Sequence, residues 1–141
     1  MSALLHEEYP VESGDYDRAG EASADIKRKL KQLGVPAAVL RRVSVASYEV
    51  ELNLVIHSDG GTLTLEVSPE AVRLISADRG PGIPDVELAM REGWSTANET
   101  ARSLGFGAGM GLPNMKRNAD DFDIVSAVGE GTTIRMGFRL S

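Results

Sequence analysis

The sequence contains no cysteine, few aromatic residues and no long apolar run. Without cysteine the chain can form neither a disulfide nor a thiolate-bound zinc or iron–sulfur site. No stretch approaches the roughly 20 apolar residues of a membrane-spanning helix. The first residues also lack the basic and apolar regions of a signal peptide. We therefore expect a cytoplasmic protein that has no membrane partner.

An excess of basic residues is missing as well. The formal net charge is −6, and residues 1–25 account for it with seven acidic side chains against one basic side chain, Arg18. Residues 26–141 are neutral overall, so no basic face remains to attract a nucleic-acid backbone. We expect no nucleic-acid partner, and we expect the acidic segment to influence protein docking instead.

A length of 141 residues predicts one domain, 1–141, with a strand and helix in the acidic N-terminal part, 1–34, and a core over 35–141. Apolar periodicity, glycines and prolines predict the elements in chain order. These are a weak strand at 4–11, helices at 15–33 and about 36–57, a hairpin at 62–68 and 71–77, a short helix at 84–92, a loop at about 93–111, a helix at 112–119 and a hairpin at 122–128 and 132–140.

This order of elements implies a two-layer α/β sandwich, with helices covering one face of a mostly antiparallel mixed sheet.

The first helix carries a cluster of four basic residues, which we expect to form a solvated face: Lys27, Arg28, Lys29 and Lys31.

Polar residues recur within the otherwise apolar second helix. Glu49, Asn53 and His57 are spaced four apart, so they line one helix face. Polar groups in such a helix need partners if they are buried. The pattern suits either a functional site or a polar contact between helices, and His57 is more simply explained by packing or capping.

Two glycine-rich segments are candidate ligand loops. The run from Asp78 to Ile83 follows a strand and contains Gly80 and Gly82, which suits either a surface turn or close approach to a flat ligand. The run Gly-Phe-Gly-Ala-Gly-Met-Gly-Leu over 105–112 enters a helix, as an anion site would. It fits neither the P-loop nor the dinucleotide-binding pattern, and a flexible loop remains an alternative.

The order and spacing of these segments carry a resemblance. Glu49-x-x-x-Asn53, Asp78-x-Gly80-x-Gly82, Gly107-x-Gly109-x-Gly111-Leu112 and Gly131-Thr132 resemble the motifs of the GHKL (Bergerat-fold) ATP-binding family over about residues 35–140. From the length we expect neither a transducer domain nor a phosphoacceptor-histidine hairpin. Within the family, the sequence is therefore most similar to the anti-sigma-factor and switch-type serine/threonine protein kinases of bacteria.

The resemblance implies a role for each motif. Glu49 would orient or deprotonate the attacking hydroxyl, Asn53 would ligate Mg²⁺, and Asp78 with Thr132 would bind the adenine of ATP. Backbone amides from Gly107 to Leu112 would wrap the phosphates. The full set of implied nucleotide-binding residues is Asn53, Asp78, Gly80, Gly82, Ile83, Gly105, Gly107, Ala108, Gly109, Met110, Gly111, Leu112 and Thr132.

The function implied by the resemblance is that of an ATP-dependent serine/threonine kinase in a partner-switching pathway. Its substrate would be a STAS-domain anti-anti-sigma or scaffold protein. The alternative is an ATP-gated regulator that sequesters a sigma factor or another protein with little kinase activity, and a bare ATPase ranks last. Whether the chain forms a homodimer stays open.

Overall fold

The computed structural model describes residues 5–80, 82, 90 and 111–140, except for the side chain of His57. The predicted helix at 84–92, apart from residue 90, and all but the last residue of the predicted loop lie outside these residues. The described elements are β1 (Leu5–Val11), a 3-10 turn (Tyr16–Arg18), α1 (Glu21–Gln32), α2 (Ala37–His57), β2 (Gly61–Val67), β3 (Ala71–Asp78), α3 (Gly111–Asn118), β4 (Asp121–Ala127) and β5 (Gly131–Arg139).

The five strands form one sheet in the order β1-β2-β3-β5-β4. Every neighbouring pair in the described part of the chain is antiparallel. Both hairpins predicted from alternating apolar residues are present, as β2–β3 and β4–β5. The expected α/β fold with a mostly antiparallel sheet is thus confirmed.

The hydrophobic core lies between the sheet and the helices. Alternate residues of the central strands face it: Leu63, Leu65 and Val67 of β2 are buried, and the residues between them are only partly covered. On the opposite face of the sheet, Arg73 and Arg135 are exposed. The largest fully buried side chains come from helices and sheet alike and include Phe138, Ile26, Leu30, Leu54, Leu63, Leu65, Leu74 and Met115.

The first helix begins later than its sequence predicts. Residues from Asp15 onward were expected to be helical, but α1 starts at Glu21 and residues 16–18 form only a 3-10 turn. Gly20, directly before the helix, has a positive φ of 99°, a conformation that glycine adopts without steric cost. The backbone therefore changes direction there, and the helix begins after it.

The expected solvated face of α1 is only partly right, because Lys29 is half-buried. Its Nζ lies 2.9 Å from Asp25 Oδ2 and 3.2 Å from Glu7 Oε1, and it stands 5.3 Å from the centre of the Tyr9 ring. These contacts dock α1 against the edge strand β1. They also explain the weak strand pattern of β1, whose inward-facing side chains include Glu7 and Tyr9 rather than aliphatic residues alone.

None of the helices in the described part of the chain has the length and apolar character needed to cross a membrane.

Candidate functional site

Two of the predicted site residues, Glu49 and Asn53, lie one turn apart on α2 and are half-buried. Both face the first residue of α3. A Cβ placed on Gly111 would lie 3.4 Å from Glu49 Oε2 and 3.4 Å from Asn53 Oδ1. The fold therefore brings the polar side chains of α2 together with the last glycine of the glycine-rich run. Glycine at this position leaves space around both oxygens.

The other carboxylate oxygen of Glu49 contacts α3. Asn114 Nδ2 donates a hydrogen bond to Glu49 Oε1 at 3.3 Å. The sequence assigned no role to Asn114, because the pattern of a single helix does not reveal a contact between residues so distant in the chain. Its position in the turn after Gly111, on a helix that starts beside Glu49, is the only local signal.

The second part of the site is formed by the end of β3 and the start of β5. Thr132 donates its backbone N–H to Asp78 Oδ1 at 3.0 Å. The Thr132 hydroxyl lies 2.8 Å from the Ser126 hydroxyl on β4. Asp78 is half-buried and Thr132 is buried. A carboxylate and two hydroxyls are thus arranged across three strands, and Ser126 is a member of this group that the sequence did not indicate.

Burial raises the pKa of the Asp78 carboxyl group, because desolvation disfavours the charged form. The nearby charge of Asp59 acts in the same direction. The hydrogen bond from Thr132 opposes the rise in pKa. A partly desolvated carboxyl group with a raised pKa, placed beside hydroxyl groups, is a candidate for a specific polar contact with a ligand.

Two glycines allow the close backbone packing of this region. A Cβ on Gly131 would overlap the carbonyl oxygen of Asp78 and would lie 3.2 Å from Asp78 Oδ1, and the φ of Gly131 is 102°. Gly82 has a φ of 74°, and a Cβ there would overlap the carbonyl oxygen of Ala127. Both positions require glycine for steric and conformational reasons.

The carboxyl end of α2 connects the two parts of the site. Asp59, just beyond the helix, donates its N–H to the Arg79 carbonyl at 2.7 Å, and Arg79 donates to Gly60 at 3.0 Å. A Cβ on Gly80 would lie 3.3 Å from both Asp59 N and Ser58 Cα. The helix that carries Glu49 and Asn53 therefore ends against the loop that follows Asp78.

Of the remaining predicted nucleotide-binding residues, Leu112 lies in the described part of the chain. Leu112 is buried and packs in the hydrophobic core, so only its backbone could serve a ligand. Its N–H belongs to the first turn of α3, where amide groups lack partners within the helix. The other predicted nucleotide-binding residues lie outside the described part of the chain: Ile83, Gly105, Gly107, Ala108, Gly109 and Met110.

The amide oxygen of Asn53 beside Gly111 suits a small hard cation. Mg²⁺ usually takes few protein ligands together with water and phosphate oxygens, so a single amide oxygen is a sufficient contribution from the protein. Within the described ranges, no group of three or more His, Asp or Glu residues could hold a metal by itself. The residues present therefore fit a cation that is completed by a phosphorylated ligand.

A cavity of about 360 Å³ lies elsewhere, between β1, α1 and α2. It contains none of the predicted site residues. Its wall includes Glu51, which is 3% exposed. Both carboxylate oxygens of Glu51 accept hydrogen bonds from backbone N–H groups at the start of α1: Gly20 at 3.0 Å, Ala22 at 3.2 Å and Ser23 at 2.9 Å. Glu51 thus caps α1 from another helix.

Residues 13–138 match the family described as histidine kinase-like ATPase domain. The chain belongs to that family, as the resemblance of its motifs predicted.

Within this family, the chain is similar to a serine/threonine-protein kinase and to anti-sigma factors. The chain is 33% identical over 109 residues to the serine/threonine-protein kinase RsbT of Bacillus subtilis, which covers 74% of this chain and 76% of the relative. It is 33% identical over 118 residues to the anti-sigma F factor of Bacillus licheniformis, covering 79% and 77%. It is 31% identical over 99 residues to the anti-sigma F factor of Thermoanaerobacter sp., covering 67% and 66%.

Proposed function

We propose that this chain is an ATP-dependent serine/threonine protein kinase that phosphorylates a STAS-domain protein in a partner-switching pathway. The observation that carries the proposal is the convergence of Glu49 Oε2 and Asn53 Oδ1 on Gly111. Family membership supports the use of ATP. Similarity to a serine/threonine-protein kinase supports transfer to a protein hydroxyl.

Asp78 would select the base of the nucleotide. Its Oδ1 accepts the Thr132 N–H, and we assign Oδ2 to the exocyclic amino group of adenine. Guanine presents a carbonyl oxygen at the corresponding position, which a carboxylate would repel. The hydroxyls of Thr132 and Ser126, 2.8 Å apart, would complete the hydrogen bonding on this side of the base. The site should therefore prefer ATP to GTP.

The amino end of α3 and Asn53 would hold the phosphates. Free amides at a helix start favour anions, and the Asn53 amide oxygen would serve as the protein ligand of Mg²⁺. When bound, the ion would neutralise phosphate charge during transfer. Glu49, one turn earlier on α2, lies on the same side of Gly111 and is therefore well placed for the acceptor hydroxyl.

Glu49 would act as the base for that hydroxyl. The serine or threonine oxygen forms a bond to the γ-phosphorus while the bond from that phosphorus to the β–γ bridging oxygen breaks, and ADP leaves. The hydroxyl proton goes to Glu49 Oε2. Positioned general bases typically contribute about 10²–10⁴-fold to a rate, so Glu49 is expected to affect turnover far more than nucleotide binding.

Phosphate transfer from γ-labelled ATP to a STAS-domain protein from the same genome tests the proposal. Glu49→Gln should lower transfer at least 100-fold while ATP binding stays within about threefold of wild type. Asp78→Asn should weaken ATP binding instead. Glu70→Gln, an exposed charge in the β2–β3 turn, is the matched control. Full-rate transfer by Glu49→Gln, or equal binding of GTP and ATP, would contradict the assignment.

Similarity to two anti-sigma F factors supports a second candidate, an ATP-gated regulator that sequesters a sigma factor. It predicts capture of a sigma factor that differs between ATP and ADP, without incorporation of label. Label in the STAS-domain protein that depends on Glu49 would favour the kinase instead. Sedimentation of the purified chain with and without Mg-ATP would determine whether it forms a homodimer.

A further inference from the structure

The carboxylate of Glu49 is held by a short chain of side-chain hydrogen bonds on α3. Arg117 Nη1 donates to Asn114 Oδ1 at 3.0 Å, and Asn114 Nδ2 donates to Glu49 Oε1 at 3.3 Å. Asn114 is half-buried on the side of α3 that contacts α2, whereas Arg117 is exposed one turn further along α3. Neither residue has a role in the function proposed above.

The chemistry of the three groups gives these hydrogen bonds one direction. A guanidinium only donates and a carboxylate only accepts. The amide between them must therefore present its oxygen to Arg117 and its NH₂ to Glu49. Arg117 thus fixes the orientation of the Asn114 amide, and a flipped amide would place two acceptors against each other at Glu49.

The hydrogen bond from Asn114 determines which oxygen of Glu49 is left for the acceptor hydroxyl. With Oε1 held by Asn114, the other oxygen, Oε2, lies beside Gly111 and on the same side as Asn53 Oδ1. Rotation of the carboxylate about its terminal torsion would otherwise be nearly free, because such torsions have broad energy wells. Catalytic groups work best when they are held close to their productive geometry.

We propose that Asn114 is a positioning residue for phosphate transfer, which holds Glu49 so that Oε2 meets the acceptor hydroxyl, and that Arg117 orients Asn114. The inference rests on the proposed role of Glu49 as base. It also links the base to the helix that begins at the phosphate end, since Gly111 and Asn114 occupy the same first turns of α3.

A purely structural role for the Asn114 side chain is a weaker explanation. α3 is anchored by Leu112 and Met115, which are buried in the core. Within α3, Asn118 Nδ2 donates a hydrogen bond to the backbone oxygen of Asn114 at 2.8 Å. This hydrogen bond does not use the Asn114 side chain, so substitutions of that side chain should leave the helix in place.

The test compares two variants that remove the donor to Glu49. Asn114→Asp keeps the size of the side chain and its acceptor for Arg117, and Asn114→Leu keeps only the size. In steady-state transfer of labelled phosphate to the STAS-domain acceptor, each should lower kcat about tenfold. The KM for ATP, the Kd for Mg-ATP and the melting temperature should stay near their wild-type values. Lys116→Gln, on the exposed side of the same helix, is the matched control.

A double-mutant comparison separates positioning from structure. In the Glu49→Gln background, Asn114→Leu should cause no further loss of the residual transfer, because there is no base left to position. An equal tenfold loss in both backgrounds would overturn the inference, as would a kcat unchanged in both Asn114 variants.

The outcomes also separate this inference from the proposed function. If Glu49→Gln transfers phosphate at the wild-type rate, the assignment of the base is wrong. If Glu49→Gln is inactive and both Asn114 variants are fully active, the base assignment stands and the positioning role alone is wrong. Should one variant fold poorly, its low melting temperature will show it, and the other variant decides the question.

Discussion

Glu51 provides the sharpest test of how this fold is held together. Its side chain is 3% exposed, and three backbone N–H groups at the start of α1 donate to it. The amino end of α1 has Gly20 as its capping residue, which offers no side-chain acceptor. Glu51 therefore supplies from α2 the capping that a local serine or aspartate supplies in most helices. Glu51→Ala would remove this cap, and Glu51→Gln would weaken it.

The expected loss follows from the contacts. Leaving a buried donor unsatisfied costs about 1–3 kcal/mol, and loss of a helix cap costs about 0.5–2 kcal/mol. A carboxylate at a helix amino terminus contributes about 0.3–2 kcal/mol more through the helix dipole. These contributions overlap, and we expect Glu51→Ala to lower the free energy of unfolding by about 3 kcal/mol. Glu51→Gln keeps one acceptor but turns an NH₂ toward backbone donors, so we expect about 2 kcal/mol.

Urea unfolding of the full chain, followed by far-UV circular dichroism, measures both changes. The midpoint should fall for the two Glu51 variants, with little change in the slope m. Glu70→Gln removes the same charge from an exposed turn and should leave the free energy of unfolding within about 0.5 kcal/mol of wild type. A loss below 0.5 kcal/mol for Glu51→Ala would show that water or a local rearrangement replaces the cap, and would refute the reasoning.

Three further predictions concern glycine, pH and charge. Gly131→Ala forces a Cβ onto the carbonyl oxygen of Asp78 on β3, at a φ of 102°. It should cost about 2 kcal/mol in thermal unfolding and weaken ATP binding in calorimetry. The pKa of Asp25 is lowered chiefly by the hydrogen bond from Tyr9 and then by that from Lys29. Because the folded-state pKa lies below the unfolded one, this stabilisation is complete above about pH 4 and disappears as pH falls through the folded value. Wild type should therefore exceed Asp25→Asn in stability at pH 6, and the difference should shrink toward pH 2; a constant difference would contradict it. Finally, the acidic segment before α1 is expected to attract a protein partner electrostatically. Neutralising its three exposed acids together tests this: Glu8, Glu12 and Asp17. The rate of association with the partner protein, measured by stopped-flow, should fall and lose its salt dependence, and an unchanged rate would leave these acids a role in solubility alone.

Local pattern predicted most of the described fold. Alternation along 62–68 and 71–77, and again along 122–128 and 132–140, placed all four hairpin strands, because the side-chain period of a strand is encoded in its own residues. The four-residue spacing of Glu49 and Asn53 placed them on one side of α2 for the same reason. The late start of α1 was missed, since the apolar stripe that predicted the helix carries no information on the backbone angle of Gly20.

The candidate site was only partly predictable. The resemblance identified Asp78 and Thr132, and the structure places them in hydrogen-bond contact. Ser126 and Asn114 went unnoticed because neither belongs to a periodic or glycine-rich pattern. Their importance comes from partners on other elements, which appear only once strands and helices have packed.

The sequence by itself determined most element types, the two hairpins and the polar side of α2, because each depends on residues close together in the chain. Tertiary structure alone decided which oxygen of Glu49 meets Asn114, that Glu51 caps α1, and that Lys29 is half-buried against β1. These are contacts between elements far apart in sequence. Their existence depends on which faces the core brings together, and that information is spread over the whole chain.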